Sequence, residues 1–141
     1  MTPPASKPGA VISAIALIVP EYDEGIAFYR DVMGFRLLED IDQGRKRWVT
    51  MQPPGGGASL VIARAEGAIQ VAAIGHQAGG RVWLFLQTDD FWRDHAKMMA
   101  AGVAFEEEPR VEPYGTVAVW RDPWGNRWDM IGPASHACKN P

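Results

Sequence analysis

The sequence predicts an α+β protein made of two tandem βαβββ modules whose strands form a shared curved mixed sheet around a cavity. The order strand, helix, strand, strand, strand occurs twice in the pattern of apolar and amphipathic segments. Features of the first half recur in the second half at nearly constant spacing. Each half of the 141-residue chain is too short to close its own hydrophobic core. We therefore expect the two halves to pack together as one unit.

The composition of the chain argues against some classes of binding partner. A net charge of −3 and a pI near 5.6 argue against a nucleic-acid surface, and the basic cluster at 45–47 is too short to change this. No apolar run is long enough to cross a membrane. Residues 1–9 carry three prolines and no apolar segment, which predicts a disordered tail and not a signal peptide. Because Cys138 is the single cysteine, the chain fits a reducing compartment, and we expect a cytoplasmic protein.

The first module begins with an apolar strand over residues 12–19. Bulky side chains alternate there with the small Ala14 and Ala16, so we expect the alanine face to border open space. A helix follows, with Asp23 as the predicted N-cap and Gly34 as its end. Three strands complete the module, at residues 35–38, 46–52 and 59–63.

The second module repeats this order. A strand over residues 81–88 leads into a helix that is capped by Asp89 and Asp90 and ended by Gly102. On the apolar stripe of this helix, His95 is interpreted as a packed neutral side chain. A strand at residues 103–107 precedes a hairpin whose strands flank the turn formers of 122–126.

Asp129 lies inside the last strand of this hairpin. An unpaired carboxylate there is costly unless it faces a polar or wet space, which makes Asp129 a candidate functional residue. The alternative is an edge-strand aspartate that faces bulk water.

The repeat is visible in the spacing of equivalent residues. Val19 aligns with Thr88 at an offset of 69, and Gly34 aligns with Gly102 at an offset of 68. Gly55 and Gly125, which follow the turn prolines, differ by 70. We interpret this as a tandem duplication. The predicted organisation is a tail (1–9), a first module (10–65), a connector without clear periodicity (66–80), a second module (81–132) and a disordered C-terminal tail (133–141).

The segments AIALIVPEYDEGIAFYRDVMGF in the first half, and FLQTDDFWRDHAKMMAAGVAF and RDPWGNRWDM in the second, carry a family resemblance. The chain resembles the vicinal oxygen chelate superfamily, which contains glyoxalase I, extradiol dioxygenases, and fosfomycin- and bleomycin-resistance proteins. The resemblance covers roughly residues 11 to 132. It implies the fold given above, and it leaves the function open because this fold hosts several chemistries.

Metal-using members that this chain resembles place four cavity-facing side chains, usually His or Glu, around one divalent ion. The resemblance maps these positions onto Ala14, Ser59, Trp83 and Asp129. Of these, only Asp129 is a good ligand for a transition metal. The histidines, His76, His95 and His136, do not fall on such positions. We therefore predict no cofactor, with a divalent transition metal as the alternative.

If these four positions face the cavity, strand alternation adds further residues to its lining. The added side chains are Phe85 and Gln87 on one strand and Arg127 on another. This predicts a site for a flat, partly apolar ligand, with Gln87 and Asp129 orienting its polar groups. The alternative is that Trp83 fills the space left by the absent ligands. The predicted ligand-binding residues are Trp83, Phe85, Gln87, Ser59, Ala14 and Arg127, and the predicted catalytic residue is Asp129.

Three functions follow from the resemblance. The first is a protein that binds or sequesters a small planar or hydrophobic molecule, as bleomycin-resistance proteins do. The second is a lyase or isomerase of the glyoxalase type, in which Asp129 acts as general base and Gln87 holds an oxyanion. The third is a structural dimer with a filled core. We also expect a homodimer, because family members commonly pair, and no nucleic-acid or membrane partner.

Overall fold

The computed structural model describes residues 7–134. Part of each predicted tail, residues 1–6 and 135–141, therefore lies outside the described residues, and the latter range contains His136 and Cys138. In chain order the elements are β1 (Ala14–Val19), α1 (Tyr22–Ile26, continuing as a π-helical segment over Ala27–Val32), β2 (Arg36–Asp42), β3 (Arg47–Gln52), β4 (Ser59–Arg64), α2 (Gly67–Ala73), β5 (Val82–Gln87), α3 (Phe91–Ala100), β6 (Ala104–Phe105), β7 (Arg110–Glu112), β8 (Gly115–Arg121) and β9 (Arg127–Gly132).

The strands form two mixed sheets of the same design. Sheet A has the order β1-β4-β3-β2, and sheet B has the order β5-β9-β8-β6, with β7 also paired to β8. In each sheet the first strand runs parallel to the last strand of its module, and the remaining pairs are antiparallel. The predicted α+β class is confirmed, with the strands in two mixed sheets.

Helix α1 packs between the two sheets. A Cβ atom added to Gly25 would lie 2.9 Å from Ile62 of sheet A, so the helix approaches that sheet closely. Its next turn meets sheet B, because the Tyr29 ring lies 5.9 Å from that of Trp128. The two sheets therefore bury one face each against the same helix. The buried side chains of these faces are Leu17, Val19, Val49, Met51, Leu60 and Ile62 in sheet A, and Ala118, Trp120, Trp128 and Met130 in sheet B.

This packing decides where the opposite faces point. We call the face of sheet A that carries Ala14 and Ser59 the outer face of sheet A, and the face of sheet B that carries Asp129 the outer face of sheet B. Side chains alternate along a strand, so each outer face is turned away from the shared core. The two outer faces of one chain consequently point in different directions.

The helix ends test the predicted caps. Asp90 caps α3, where its side chain accepts a hydrogen bond from the backbone N–H of Arg93, as predicted. Gly34 and Gly102 have φ values of +74° and +84°, which confirms their role as helix ends. The prediction that Asp23 caps α1 is wrong. Asp23 already lies in the first turn, and its carboxylate pairs with Arg47 at 2.9 Å.

The connector contains a helix that its sequence pattern did not predict. None of the residues of α2 (Gly67–Ala73) is buried, so the segment has no apolar stripe that could reveal a helix. Over residues 7–134, no helix combines the length and the apolar character that crossing a membrane requires.

Candidate functional site on the outer face of sheet B

Two of the predicted site residues lie side by side on sheet A. Ala14 and Ser59 are register partners in the parallel pair of β1 and β4. Ala14 is exposed and Ser59 is half-buried, whereas Leu17 and Leu60 on the other face are buried. The small residues therefore leave a shallow open surface, as expected from the alternation in the sequence.

Three more predicted residues lie on sheet B. Phe85 is the register partner of Asp129, and Gln87 is the partner of Ile131, so these side chains share the outer face. Phe85 is 71% exposed, which is unusual for a phenylalanine. The structure thus places an accessible aromatic ring beside a strand carboxylate.

Trp83 does not share this face, and the prediction that it faces the same cavity as Asp129 is wrong. The pairing of β5 with β9 shifts by one residue between Val82 and Leu84, and this bulge interrupts the alternation of side chains. Trp83 packs against the core, with its ring 5.8 Å from that of Trp128 at an interplanar angle of 86°.

Asp129 has an unusual electrostatic environment. Its Oδ1 atom is buried and has no hydrogen-bond partner among residues 7–134. Burial raises the pKa of the carboxyl group, with a further increase from Glu107 that is opposed by Arg110. A carboxyl group in this state can accept a hydrogen bond from a ligand, and a raised pKa makes it a stronger base than an ordinary aspartate.

Glu107 and Arg110 were not predicted as site residues. Glu107 accepts a hydrogen bond from Arg110 at 2.9 Å and another from the backbone N–H of Val119 at 3.1 Å. Val119 is the register partner of Asp129, so this ion pair lies next to the candidate site. Both residues fall in a segment with the sequence EEEPR, which gives a loop signal but no sign of which strand it lies against.

Arg127, also predicted to bind ligand, is already engaged. Its guanidinium makes two hydrogen bonds to the carboxylate of Glu106, at 2.7 and 2.9 Å, and a third to the carbonyl of Gly80 at 3.0 Å. Bidentate pairing of this kind fixes the side chain and neutralises its charge. Arg127 therefore joins sheet B to the connector.

A groove of about 1250 Å³ lies on the other side of β5, between the two modules. Phe85 and Gln87 border it as well, because β5 is an edge strand, but Asp129 does not. The groove is largely apolar. Its walls include Ile15, Leu60, Leu84, Leu86, Trp128 and Met130.

Comparison with known proteins decides the family. The chain matches the Glyoxalase/Bleomycin resistance protein/Dioxygenase superfamily over residues 11–130. The chain belongs to this superfamily. An uncharacterized protein of Shewanella frigidimarina (strain NCIMB 400) is 52% identical over 120 residues, which cover 83% of this chain and 89% of that protein.

Two solved structures extend the comparison. TnmS3, an antibiotic binding protein from Streptomyces sp. CB03234, is 27% identical with a TM-score of 0.74, covering 91% of this chain and 99% of its own. UcmS2 is 26% identical with a TM-score of 0.76, covering 87% of this chain and 98% of its own. The fold predicted from the sequence is therefore that of its superfamily relatives.

The metal-binding positions of the superfamily do not fit a metal ion in this chain. Ala14 and Trp83 offer no lone pair for coordination, and Ser59 is a poor ligand beside Asp129. The structure places Ala14 and Ser59 together on sheet A, Asp129 on sheet B and Trp83 against the core. In the described part of the chain, no three His, Cys, Asp or Glu side chains come together as a metal site would require.

His95 lies on α3, where the sequence predicted a packed histidine. The His95 ring lies 4.6 Å from that of Phe105 and stacks with Phe91 at 5.6 Å. Burial lowers its pKa, and Glu108 opposes this effect. The interpretation of His95 as a neutral packing residue agrees with this environment.

Proposed function

We propose that this protein binds a small planar, partly apolar molecule on the outer face of sheet B. Phe85 provides the stacking surface and Asp129 the hydrogen-bond acceptor. The observation that carries the proposal is the pairing of these two residues in register, with an exposed aromatic ring beside a buried carboxylate oxygen that has no partner within residues 7–134.

The state of Asp129 indicates what the ligand carries. A buried polar atom that makes no hydrogen bond costs about 1–3 kcal/mol, and a ligand N–H or O–H group that reaches Oδ1 removes this cost. A protonated amine on the ligand gains more binding free energy than a neutral donor, because it also pairs with the carboxylate charge. The proposed ligand is therefore a flat aromatic molecule with at least one donor, preferably cationic.

A second copy of the chain completes the proposed site. The outer face of sheet B is open in a single chain, and the outer face of sheet A carries Ala14, Ala16 and Ser59, which are small enough to leave space for a ligand. Packing the outer face of sheet A from one copy against that of sheet B from another would enclose the ligand on both sides. This proposal includes a homodimer, and it brings the small and the aromatic walls together between subunits.

The similarity to TnmS3 supports binding as the function. That protein is an antibiotic binding protein, and 27% of its residues are identical to those of this chain over nearly the full length of both. A binding role also needs no catalytic group beyond those on the outer face.

Catalysis is the second candidate, favoured by the raised pKa of Asp129. A lyase or isomerase would use Asp129 as general base, with Gln87 two residues from Phe85 on the same face as the donor to an oxyanion. One general base contributes about 10²–10⁴-fold to a rate. Binding is preferred because the described site supplies this one base and one amide, whereas a stacking surface is fully formed.

Ligand titrations with two dyes test the proposal. Proflavine is a planar aromatic cation, and 8-anilinonaphthalene-1-sulfonate is an aromatic anion. We expect Phe85→Ala to weaken proflavine binding by about 1–3 kcal/mol, as loss of a stacking platform does. The control is Ile69→Ala, which removes an 88% exposed side chain from α2. Equal proflavine affinities of the Phe85→Ala variant and wild type would contradict the proposal.

A further variant distinguishes ligand binding in the groove between the modules from ligand binding on the outer face. Phe85 borders both surfaces, whereas Leu84 lines the groove. Binding that is lost in Leu84→Ala but retained in Asp129→Asn would place the ligand in the groove.

A further inference from the structure

The outer edge of β1 has backbone groups that face away from its neighbour. β1 stands at the end of sheet A beside β4. The carbonyls of Ser13 and Val19 accept hydrogen bonds from β4 and the residue after it, so the backbone groups of odd-numbered residues point toward β4. Those of Ala16 and Ile18 point to the open edge. Such an edge is a template for pairing with another strand.

The side-chain amide of Gln77 occupies this edge. It accepts a hydrogen bond from the backbone N–H of Ile18 at 2.8 Å and donates one to the carbonyl of Ala16 at 2.9 Å. In a parallel sheet, one residue of a neighbouring strand donates and accepts across two positions of the next strand in this way. Gln77 therefore takes the place of one residue of a parallel strand paired with Leu17.

The connector presents Gln77 from a fixed position. Gly75 lies against the hairpin turn of sheet B, where an added Cβ would be 1.9 Å from the carbonyl oxygen of Trp124. On the other side, the carbonyl of Gly80 accepts a hydrogen bond from Arg127. Because the segment is held on both sides of Gln77, little conformational entropy remains to oppose its contact with β1.

In the second module, the corresponding edge strand is β5, and none of the described side chains covers its open edge as Gln77 covers that of β1. Phe85 and Gln87 of β5 pair with Asp129 and Ile131 of β9, and their backbone groups point to the open edge, because the N–H of the next residue, Thr88, donates to the carbonyl of Ile131. No side chain of residues 7–134 forms a hydrogen bond with the backbone groups of this part of β5. The cover on β1 is thus a feature of the connector and not of the repeated fold.

We infer that Gln77 is an intramolecular edge cap, whose side chain keeps β1 from pairing with a strand of a second copy of this chain. The inference does not depend on the identity of any ligand. It adds a role for the connector that neither the repeat nor the site requires. The association that it prevents is edge-to-edge pairing through β1, which differs from packing through the outer faces.

The test compares three variants of the full chain. Gln77→Met removes both hydrogen bonds and keeps the length of the side chain. Gln77→Glu keeps an acceptor for the Ile18 amide and adds a charge, which opposes strand pairing at an edge. Gln70→Ala is the control, since Gln70 is a connector glutamine on α2 whose side chain accepts a hydrogen bond from the backbone N–H of Glu66.

Hydrogen exchange and sedimentation give the two readouts. In Gln77→Met we expect the Ile18 amide to exchange about tenfold faster, and larger species to form with increasing concentration than in wild type. Gln77→Glu should keep the Ile18 amide protected and sediment as wild type does, and so should Gln70→Ala. Gln77→Ala serves in place of the Met variant if that protein does not fold.

Either of two results would overturn the inference. Unchanged exchange of the Ile18 amide without the Gln77 amide would mean that Gln77 does not cover the edge. Faster exchange with wild-type sedimentation at every concentration would mean that the cover does not control association.

Discussion

Two aspartates of the same hairpin have opposite environments. Asp122 is 4% exposed, and its carboxylate accepts five hydrogen bonds, whereas the buried Oδ1 of Asp129, seven positions later, accepts none from residues 7–134. A carboxylate whose acceptor sites are filled holds the chain in place. One that is buried and unfilled keeps an unused capacity to accept a hydrogen bond. The contrast separates a structural aspartate from a candidate functional one within a single turn and strand.

The partners of Asp122 show what it holds together. Three donors are the backbone N–H groups of the turn, at residues 124–126, and a fourth is the side chain of Asn126. The fifth is the hydroxyl of Tyr29, at 2.9 Å, which belongs to the first module. The Tyr29 hydroxyl in turn accepts a hydrogen bond from the indole of Trp128 at 3.1 Å. Asp122 therefore fixes both the turn and the contact between modules.

Removal of the Asp122 carboxylate should have the largest effect on stability. Asp122→Ala leaves the hydroxyl of Tyr29, the side-chain amide of Asn126 and the N–H groups of residues 124 and 126 without an acceptor, and we expect a loss on the order of 4 kcal/mol. Urea unfolding at neutral pH measures this change. Asp31→Ala is the control, because Asp31 forms an exposed ion pair with Arg30 and its removal should change stability little. Similar losses of stability in the two variants would mean that the buried Asp122 carboxylate contributes no more to the fold than an exposed carboxylate does.

Tyr29→Phe should have the next largest effect. The variant removes the hydroxyl that links Asp122 to Trp128. The buried indole N–H of Trp128 is left without its acceptor and the Asp122 carboxylate loses one of its five donors, so we expect a loss of about 1–3 kcal/mol. A double-mutant cycle with Asp122→Asn should show coupling between the two sites, since their side chains touch. Additive losses would mean that the hydrogen bond does not join the modules.

Asp129→Asn should have a smaller effect of opposite sign. The folded protein holds the Asp129 proton more tightly than the unfolded chain does, because burial raises the pKa. The destabilisation is therefore absent below the ordinary pKa of 3.8 and develops as the pH rises through the raised value. We expect Asp129→Asn to stabilise the protein at pH 7 by up to about 1 kcal/mol, and thermal unfolding at pH 7 and pH 3 checks this. A loss of stability at pH 7 would show that the ionised carboxylate has a favourable role in the fold.

The features that the sequence predicted are local or repeated. The cap at Asp90 depends on a residue three positions away, and the strand order follows from a duplication that is visible in the spacing of glycines. The joint placement of Phe85 and Asp129 on one face needed only the alternation of a regular strand.

The features that the sequence did not predict depend on tertiary contacts. Trp83 turns to the core because of a bulge in β5, which alternation cannot reveal. The role of Asp122 depends on Tyr29, 93 positions earlier. The outward direction of the two site faces depends on α1 packing against sheet B as well as sheet A. This packing involves the contact between Tyr29 and Trp128, which the repeat does not predict.

The pH dependence of proflavine binding tests the shared role of Phe85 and Asp129 most directly. In wild type we expect the affinity to rise as the pH is raised from 3.8 and to level off above the raised pKa of Asp129, because the ionised carboxylate pairs with the cation. In Asp129→Asn the affinity should be weaker at pH 7 and independent of pH over the same range, while Phe85→Ala should bind more weakly but keep the pH dependence. Identical pH profiles for wild type and Asp129→Asn would contradict the proposal that Asp129 contacts the ligand.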